Sequence, residues 1–260
     1  MDYSYHNHTY LCSHATGTME EYIEVAIENG IKHMGFSDHI PFVRPDGEES
    51  YYRVPVDKGK MYCDDVKALG EKYKDEIEII VGFESEYYDE YFDGMLRDAI
   101  EYGAEYLILG QHFTEPEVHG ARHTVDETES LEELKKYVDS VVLAMEKKVF
   151  TYVAHPDIVN YTGDIKVYKE EVRKICKVSK KLNIPLEINF LGIRGKRSYP
   201  RELFWEVAGD EKSPVTFGFD AHSAKDAYDG ESLVVAIEWV RRYNLNYIGK
   251  PEIINIQNIK

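Results

Sequence analysis

His6 and His8 are separated by one residue near the start of this 260-residue chain. Side-chain direction in a β-strand repeats every two residues, so both imidazoles would point to one side and offer two ligands to one metal ion. Further ligand-type residues follow at the ends of later apolar runs. They are Asp38, His39, Glu84, His112, His155, Asp220 and His222. Histidines and carboxylates without cysteine are typical of Zn²⁺, Mn²⁺ or Fe²⁺ in hydrolytic sites, and this set exceeds what one tetrahedral ion uses.

Taken singly, each of these residues has a simpler explanation. A histidine after a strand is commonly a hydrogen-bonded loop residue, and Glu84 or Asp220 alone could cap a helix N-terminus. The repetition of one residue class at strand after strand is what indicates a metal site.

Seven short apolar or β-branched runs alternate with segments of helical periodicity, which predicts repeated βα units and a mainly parallel sheet. The predicted strands cover residues 3–8, 33–39, 77–84, 106–112, 150–155, 185–189 and 215–220. In a barrel of parallel strands the carboxyl ends converge on one face, where barrel enzymes build their active sites. The candidate ligands should therefore meet in an α/β barrel.

Helix signals lie between these runs. Two helix starts match the capping box, Thr18 with Glu21 and Ser130 with Glu133. Gly30 and Gly103 each mark the end of a helix. Further helices are predicted over 89–102, 168–182, 200–207 and 231–243 from apolar spacing near 3.6. Residues 40–60 and 113–129 are predicted loops, long enough to act as lids over the site.

Composition limits the class of protein. A formal charge of −17 argues against a nucleic-acid or anionic-membrane surface, because both require basic patches. An anionic substrate would then have to be attracted by local charge such as metal ions. Three widely spaced cysteines and no apolar run near 18 residues favour reduced thiols in a soluble cytoplasmic protein. The length suits a single domain spanning residues 1–260.

The chain resembles the polymerase-and-histidinol-phosphatase (PHP) family. The matching motifs are His6-Asn-His8-Thr9, Ser37-Asp38-His39, Gly82-Phe83-Glu84, His112, His155-Pro156 and Asp220-Ala221-His222. Within the family the similarity is strongest to the histidinol-phosphate phosphatase branch. The motifs for the branch are Leu186-Glu-Ile-Asn189, Gly192-Ile-Arg194 and Tyr199-Pro200.

This resemblance implies a distorted seven-stranded (β/α)7 TIM-like barrel that holds three divalent ions (Zn, Mn and/or Fe). One ion would take His6, His8, Glu84 and Asp220, and a second would share Glu84 and add His112 and His155. The third would take His14, His39 and His222, with His14 supported only by its spacing from His8. Gln111 stands where the family has a small residue, and residues 189–192 carry bulkier side chains than the branch usually has, so the shape of the substrate pocket is predicted to differ.

The implied reaction is hydrolysis of a phosphomonoester. A metal-bridging hydroxide would attack phosphorus in line, with Glu84 and Asp220 holding the ions. Arg194 and Arg197 follow the sixth strand and are predicted phosphate contacts, since a guanidinium can bind phosphate oxygens bidentately. The proton for the leaving group would come from a metal-bound water, His222, or Asp38 through water, although Asp38 fits better as a carboxylate that fixes an imidazole tautomer. His119 and His123 fit a lid or surface role better than a helical zinc pair.

The leading hypothesis is a histidinol-phosphatase of histidine biosynthesis. A rival is a phosphatase or phosphodiesterase acting on another small phosphorylated metabolite or nucleotide, because fold and metals do not fix the leaving group. A non-catalytic metal-binding protein is a third reading, and the presence of both Glu84 and Asp220 argues against it. The predicted partner is thus a small phosphorylated substrate, with no nucleic acid and no membrane.

Overall fold

A parallel sheet whose strands follow chain order forms the centre of the computed structural model, which describes residues 1–118 and 121–259. The eight described strands are β1 (Tyr3–Ser4), β2 (His33–His39), β3 (Glu78–Ser85), β4 (Tyr106–Leu109), β5 (Phe150–Val153), β6 (Leu186–Asn189), β7 (Pro214–Gly218) and β8 (Asn246–Tyr247). The predicted α/β architecture is confirmed, and the predicted count of seven strands is wrong. The eighth strand has two residues, too few to form a sequence pattern, and it exists because it pairs with Pro214 and Val215 of β7.

The sheet is an open half-barrel, since β1 and β8 share no ladder within the described part of the chain. At the carboxyl end, however, the segment after β1 meets the segment after β7. The Ala221 amide donates to the His6 carbonyl at 3.1 Å, and the His8 amide donates to the Ala221 carbonyl at 2.9 Å. These two bonds bring the first and seventh strand exits together.

Eight α-helices connect and cover the described strands. They are α1 (Met19–Glu28), α2 (Gly59–Tyr73), α3 (Phe92–Tyr102), α4 (Leu131–Glu146), α5 (Ile165–Leu182), α6 (Phe190–Arg194), α7 (Glu202–Glu211) and α8 (Gly230–Arg242). Thr18 and Glu21 form the predicted reciprocal capping box on α1, and the Ser130 side chain accepts from the Glu133 amide. Sequence patterns missed α2, which begins after a 3₁₀ turn with no side-chain cap, and α6, which is only five residues long. None of the described helices is long and apolar enough to cross a membrane.

A tyrosine-rich cluster fills the inside of the sheet beneath the strand ends. Its buried members are Tyr3, Tyr5, Tyr106, Ile108, Tyr152 and Ala154. The Tyr106 hydroxyl donates to the Tyr5 carbonyl at 2.8 Å, and a Cβ atom at Gly35 would lie only 2.2 Å from that hydroxyl oxygen. This packed floor supports the strand ends at which the candidate ligands stand.

Candidate metal centre

All nine predicted ligands meet at the carboxyl end of the sheet. Six strand ends or adjoining turns supply them: His6, His8 and His14 after β1, His39 on β2, Glu84 on β3, His112 after β4, His155 after β5, and Asp220 and His222 after β7. Most of them line one cavity of about 600 Å³, and His6 is fully buried. Parallel strands converge on this face, as the sequence argument required.

Glu84 is at the centre of the cluster, and its two oxygens face different histidines. Oε2 lies near ring nitrogens of His6 (3.6 Å), His8 (3.5 Å) and His39 (3.3 Å). Oε1 lies near Nε2 of His155 (2.7 Å) and Nε2 of His112 (3.6 Å). A carboxylate so placed can bridge two cations.

Asp220 is the second carboxylate among the candidate ligands. Its Oδ1 lies 3.7 Å from His6 Nε2, 3.4 Å from His8 Nε2 and 3.2 Å from His222 Nδ1. Asp220 and His155 both have positive backbone φ, 48° and 32°, a conformation that costs energy for residues other than glycine. Unusual backbone at two candidate ligands is typical of a functional site held in place by its surroundings.

A third group lies at the outer edge. The Nε2 atoms of His14 and His222 are 3.1 Å apart, and ligand atoms of His14, His39 and His222 all lie within 4.8 Å of one another. His14 is exposed, and its ring is oriented by Nδ1, which lies 2.7 Å from the Cys12 carbonyl. The residue with the weakest sequence support is therefore next to its two predicted partners.

The donor set fits divalent metal ions. Several buried polar atoms have no hydrogen-bond partner among the described residues, including His6 Nε2, His8 Nε2, His39 Nδ1 and Asp220 Oδ1. Burying such atoms without partners is costly, so their concentration around one carboxylate indicates an ion-binding position. Two more groups of ligand atoms within 4.8 Å are His6 with His8 and Glu84, and His39 with Glu84 and His112. His39 thus belongs to two groups, whereas the resemblance assigned it to one.

Three further carboxylates contact the Nδ1 atoms of His6, His112 and His8 and so orient these imidazoles. Glu187 Oε1 lies 2.8 Å from His6 Nδ1, Glu86 Oε1 lies 2.8 Å from His112 Nδ1, and Asp38 Oδ1 lies 3.4 Å from His8 Nδ1. Each contact favours a proton on Nδ1 and leaves Nε2 free to bind a cation.

Asp38 occupies the orienting position considered for it from the sequence, whereas Glu187 and Glu86 were missed. Period-two spacing could have indicated both residues. Glu86 lies two residues after Glu84, and Glu187 lies two before Asn189, whose side chain donates to Asp220 at 2.9 Å.

Charge is balanced locally. Burial opposes a proton on His6, but Glu187, Asp220 and Glu84 together raise its pKa to about 10. Burial also disfavours ionised Glu84, but His112, His6 and His155 hold its pKa well below the usual range. Without metal, ionised Glu84 therefore faces a protonated His6, whereas burial lowers the pKa values of His14, His39 and His222. A divalent ion would displace the His6 proton.

The two predicted phosphate contacts are placed differently. Arg197 is exposed and lines the cavity, with Nη1 3.1 Å from the Tyr199 hydroxyl. Arg194 is absent from the described cavity lining and donates to the carbonyl oxygens of Phe219 at 2.6 Å and Asp220 at 2.5 Å. Arg194 is therefore placed to support the strained backbone of Asp220, and it is not placed for the predicted phosphate contact.

His123 lines the cavity beside His112, with ring centroids 5.6 Å apart. Burial, together with the charges of His112, His155 and Arg197, lowers its pKa to about 3, so it is neutral. Its Nδ1 accepts from the Val125 amide at 3.2 Å, which places the ring proton on Nε2. His119, its partner in the helical-pair alternative, lies outside the described residues.

Two of the residues that depart from the family pattern, Gln111 and Phe190, are buried and stabilise the fold around the site. Gln111 is buried and bonds to backbone atoms of Tyr87 and Phe113, and Phe190 packs in the core against Phe217 and Phe219. Leu191 does line the cavity. The remaining wall comprises four aromatic residues, Tyr51, Tyr52, Phe113 and Tyr199, together with Ile158.

Comparison with known proteins places this site in a family. The "Probable histidinol-phosphatase" of Deinococcus radiodurans is 24% identical over 228 residues, covering 84% of this chain and 85% of that protein. The histidinol-phosphatase of Bacillus subtilis is 24% identical over 254 residues, with 85% and 93% covered. The crystal structure of Lactococcus lactis histidinol phosphate phosphatase, complexed with zinc, L-histidinol and phosphate, covers 100% of this chain and 98% of its own at 18% identity and a TM-score of 0.73. The PHP domain model matches residues 4–190, and the chain belongs to the PHP domain family.

Proposed function

We propose that the chain is a metal-dependent phosphomonoesterase that hydrolyses L-histidinol phosphate to L-histidinol and phosphate. The observation that carries this proposal is the set of unpartnered buried ligand atoms around Glu84, at the base of a cavity that also presents Arg197. Relatives named histidinol-phosphatase, aligned over most of the chain, supply the choice of substrate.

Three divalent ions, drawn from Zn, Mn and Fe, are the proposed cofactors. One would be held by His6, His8, Glu84 and Asp220, one by Glu84, His112 and His155 with His39 nearby, and one by His14, His39 and His222. Bound ions would lower the pKa of water and polarise the phosphoryl oxygens.

The buried carboxylates explain why cations are needed. Glu84, Asp220, Asp38, Glu86 and Glu187 are each at most 3% exposed. They account for about five of the negative charges in a protein whose formal charge is −17. Three divalent ions would add about six positive charges at this site and would make its field attractive to a phosphate dianion.

The other side chains that line the cavity have separate proposed roles in binding the substrate. Arg197 would bind phosphate oxygens at the cavity mouth, with Tyr199 beside it. His123 would donate its Nε2 proton to a polar atom of the substrate. The aromatic wall formed by Tyr52 and Phe113 would hold the organic part of the substrate and exclude water from it.

His222 is poorly suited to supply the proton for the leaving oxygen, because it is itself a proposed metal ligand and burial lowers its pKa. Asp38 is also poorly suited, because its oxygens already accept from the Thr9 amide, the Thr9 hydroxyl and the His39 amide. Asp38 is therefore better suited to orienting His8 than to exchanging protons.

We also propose that residues 1–260 form one phosphoesterase domain, since Asp220 and His222 lie beyond residue 190 yet complete the site. Cys12, Cys63 and Cys176 are free and buried, which supports a reducing, cytoplasmic setting.

The test is phosphate release by metal-replete protein from L-histidinol phosphate, an aryl phosphate and a nucleoside monophosphate. We expect kcat/KM to be highest for L-histidinol phosphate. Turnover no faster than that of the aryl phosphate would contradict the substrate assignment and favour another phosphorylated metabolite. Glu84→Gln should abolish activity, with Glu101→Gln on the exposed part of α3 as the matched control. Full activity in Glu84→Gln would contradict the metal mechanism.

A further inference from the structure

A buried guanidinium lies behind the candidate metal centre and outside the set of proposed ligands. Arg53 is 2% exposed, and its three nitrogens have separate partners. Nη2 donates to Glu86 Oε2 at 2.7 Å, Nε donates to Glu117 Oε1 at 2.5 Å, and Nη1 donates to the Ile40 carbonyl at 3.2 Å. A fully buried arginine is tolerated only when it is paired in this way, so its geometry is strongly constrained.

Glu117 joins two segments that border the cavity. It is 4% exposed and belongs to the predicted loop 113–129, of which residues 113–118 and 121–129 are described. Besides Arg53 it accepts from Ser50 at 2.9 Å and Tyr52 at 2.7 Å, both in the other predicted loop, and from Tyr88 at 2.9 Å. One carboxylate thus receives four hydrogen bonds, and the three from Ser50, Tyr52 and Arg53 tie the two predicted lid segments to each other.

The same arginine reaches a proposed metal ligand through Glu86. Arg53 binds one oxygen of Glu86, while the other oxygen lies 2.8 Å from Nδ1 of His112. The orientation of His112, whose Nε2 faces Glu84, is therefore set by a carboxylate that Arg53 holds in place. Lysine has a single nitrogen and cannot reproduce these three directed bonds.

The cavity wall depends on the same cluster. Tyr52, which donates to Glu117, stacks on Phe113 with ring centroids 6.2 Å apart and an interplanar angle of 25°. Both rings line the cavity, and the Tyr52 ring also meets the His39 ring edge-on at 5.6 Å. The wall and the ligand cluster thus share one buried support.

We infer that Arg53 is a positioning residue that fastens both loop segments and, through Glu86, fixes His112 for metal binding. The two ends of this link have different tasks. The Glu86 end sets metal affinity, and the Glu117 end sets the shape of the substrate wall. The inference rests on the proposed metal site at His112.

The experiment measures Zn²⁺ affinity by competition with a chromophoric chelator, together with kcat and KM for L-histidinol phosphate. Arg53→Lys should weaken the Zn²⁺ site at His112 by about tenfold or more, the usual effect of removing support from a metal-bound histidine, and should raise KM. Glu86→Gln should weaken Zn²⁺ binding in the same way. Glu117→Gln should raise KM several-fold and leave Zn²⁺ affinity within about twofold.

Arg173→Lys is the matched control, since Arg173 pairs with Glu211 between α5 and α7, and it should leave all three quantities unchanged. Wild-type Zn²⁺ affinity and KM in Arg53→Lys would overturn the inference. If Arg53→Lys does not fold by circular dichroism, Glu86→Gln decides, and unchanged Zn²⁺ affinity there would overturn it. A wild-type protein that binds no Zn²⁺ or does not turn over L-histidinol phosphate would instead contradict the proposed function.

Discussion

Gly110 lies directly against Glu84, and adding one methyl group there tests the central role of that carboxylate without touching it. A Cβ atom at Gly110 would lie 2.0 Å from Glu84 Oε1, 2.5 Å from Cδ and 2.6 Å from Cγ. To restore an ordinary contact of 3.4 Å, Oε1 must retreat by about 1.4 Å. The close contact with Cγ prevents a simple rotation of the carboxylate from relieving the clash.

A displacement of this size exceeds what a metal site tolerates, since metal–ligand distances vary by only about 0.2 Å. Misplacement by about 1 Å can cost 100-fold in rate, which corresponds to about 2.7 kcal/mol of transition-state stabilisation. Overpacking should also destabilise the fold by about 1–3 kcal/mol. We therefore expect Gly110→Ala to lose at least 100-fold in kcat/KM and to bind fewer ions.

The assay compares kcat/KM, bound metal per chain and the thermal midpoint for Gly110→Ala and Gly94→Ala. Gly94 lies in α3, and a Cβ atom there would have Arg97 Nη2 at 3.7 Å as its nearest neighbour. The control should keep activity and gain slightly in stability, because alanine favours helix over glycine. If Gly110→Ala binds a full complement of metal and keeps kcat/KM within about threefold, Glu84 is not the bridging ligand.

Glu187→Gln should lower metal affinity about 10- to 100-fold in a Zn²⁺ titration. The two carboxylate oxygens contact His6 Nδ1 and the backbone N–H of His155 (3.0 Å), and the glutamine NH₂ group would face one of these two donors. Wild-type affinity would contradict the role of Glu187 in setting the His6 tautomer. Removing metal with a chelator should lower the thermal midpoint, since an ion at 100 times its Kd stabilises by about 2.7 kcal/mol; an unchanged midpoint would show that the site is empty beforehand. Glu117 should make stability depend on acid pH. Burial disfavours its charge, yet Arg53 lowers its pKa from 4.5 to about 2, so its contribution is complete above about pH 4.5 and is lost as pH falls through about 2. The urea-unfolding gap between wild type and Glu117→Gln should accordingly narrow from pH 6 to pH 3, and a constant gap would refute the pairing.

Much of the ligand set could be predicted because strand periodicity and chain topology act locally and in order. His6 and His8 are two residues apart and therefore point to the same side of an extended segment. The carboxyl ends of parallel strands lie on one face of the sheet whatever the sequence of the strands. The count of strands could not be predicted in the same way, since Asn246 and Tyr247 form β8 only by pairing with β7.

Sequence alone determined which residue types stand at the strand ends, and therefore that a site rich in histidine and carboxylate forms there. Tertiary structure decided how the remaining polar residues are used. Arg194 and Arg197 are three positions apart and chemically alike, yet one donates to backbone carbonyls and the other lines the cavity. Arg53 and Glu117 are 64 positions apart and become partners only in the folded chain. Direction and burial of a side chain depend on packing between distant segments, which no local pattern records.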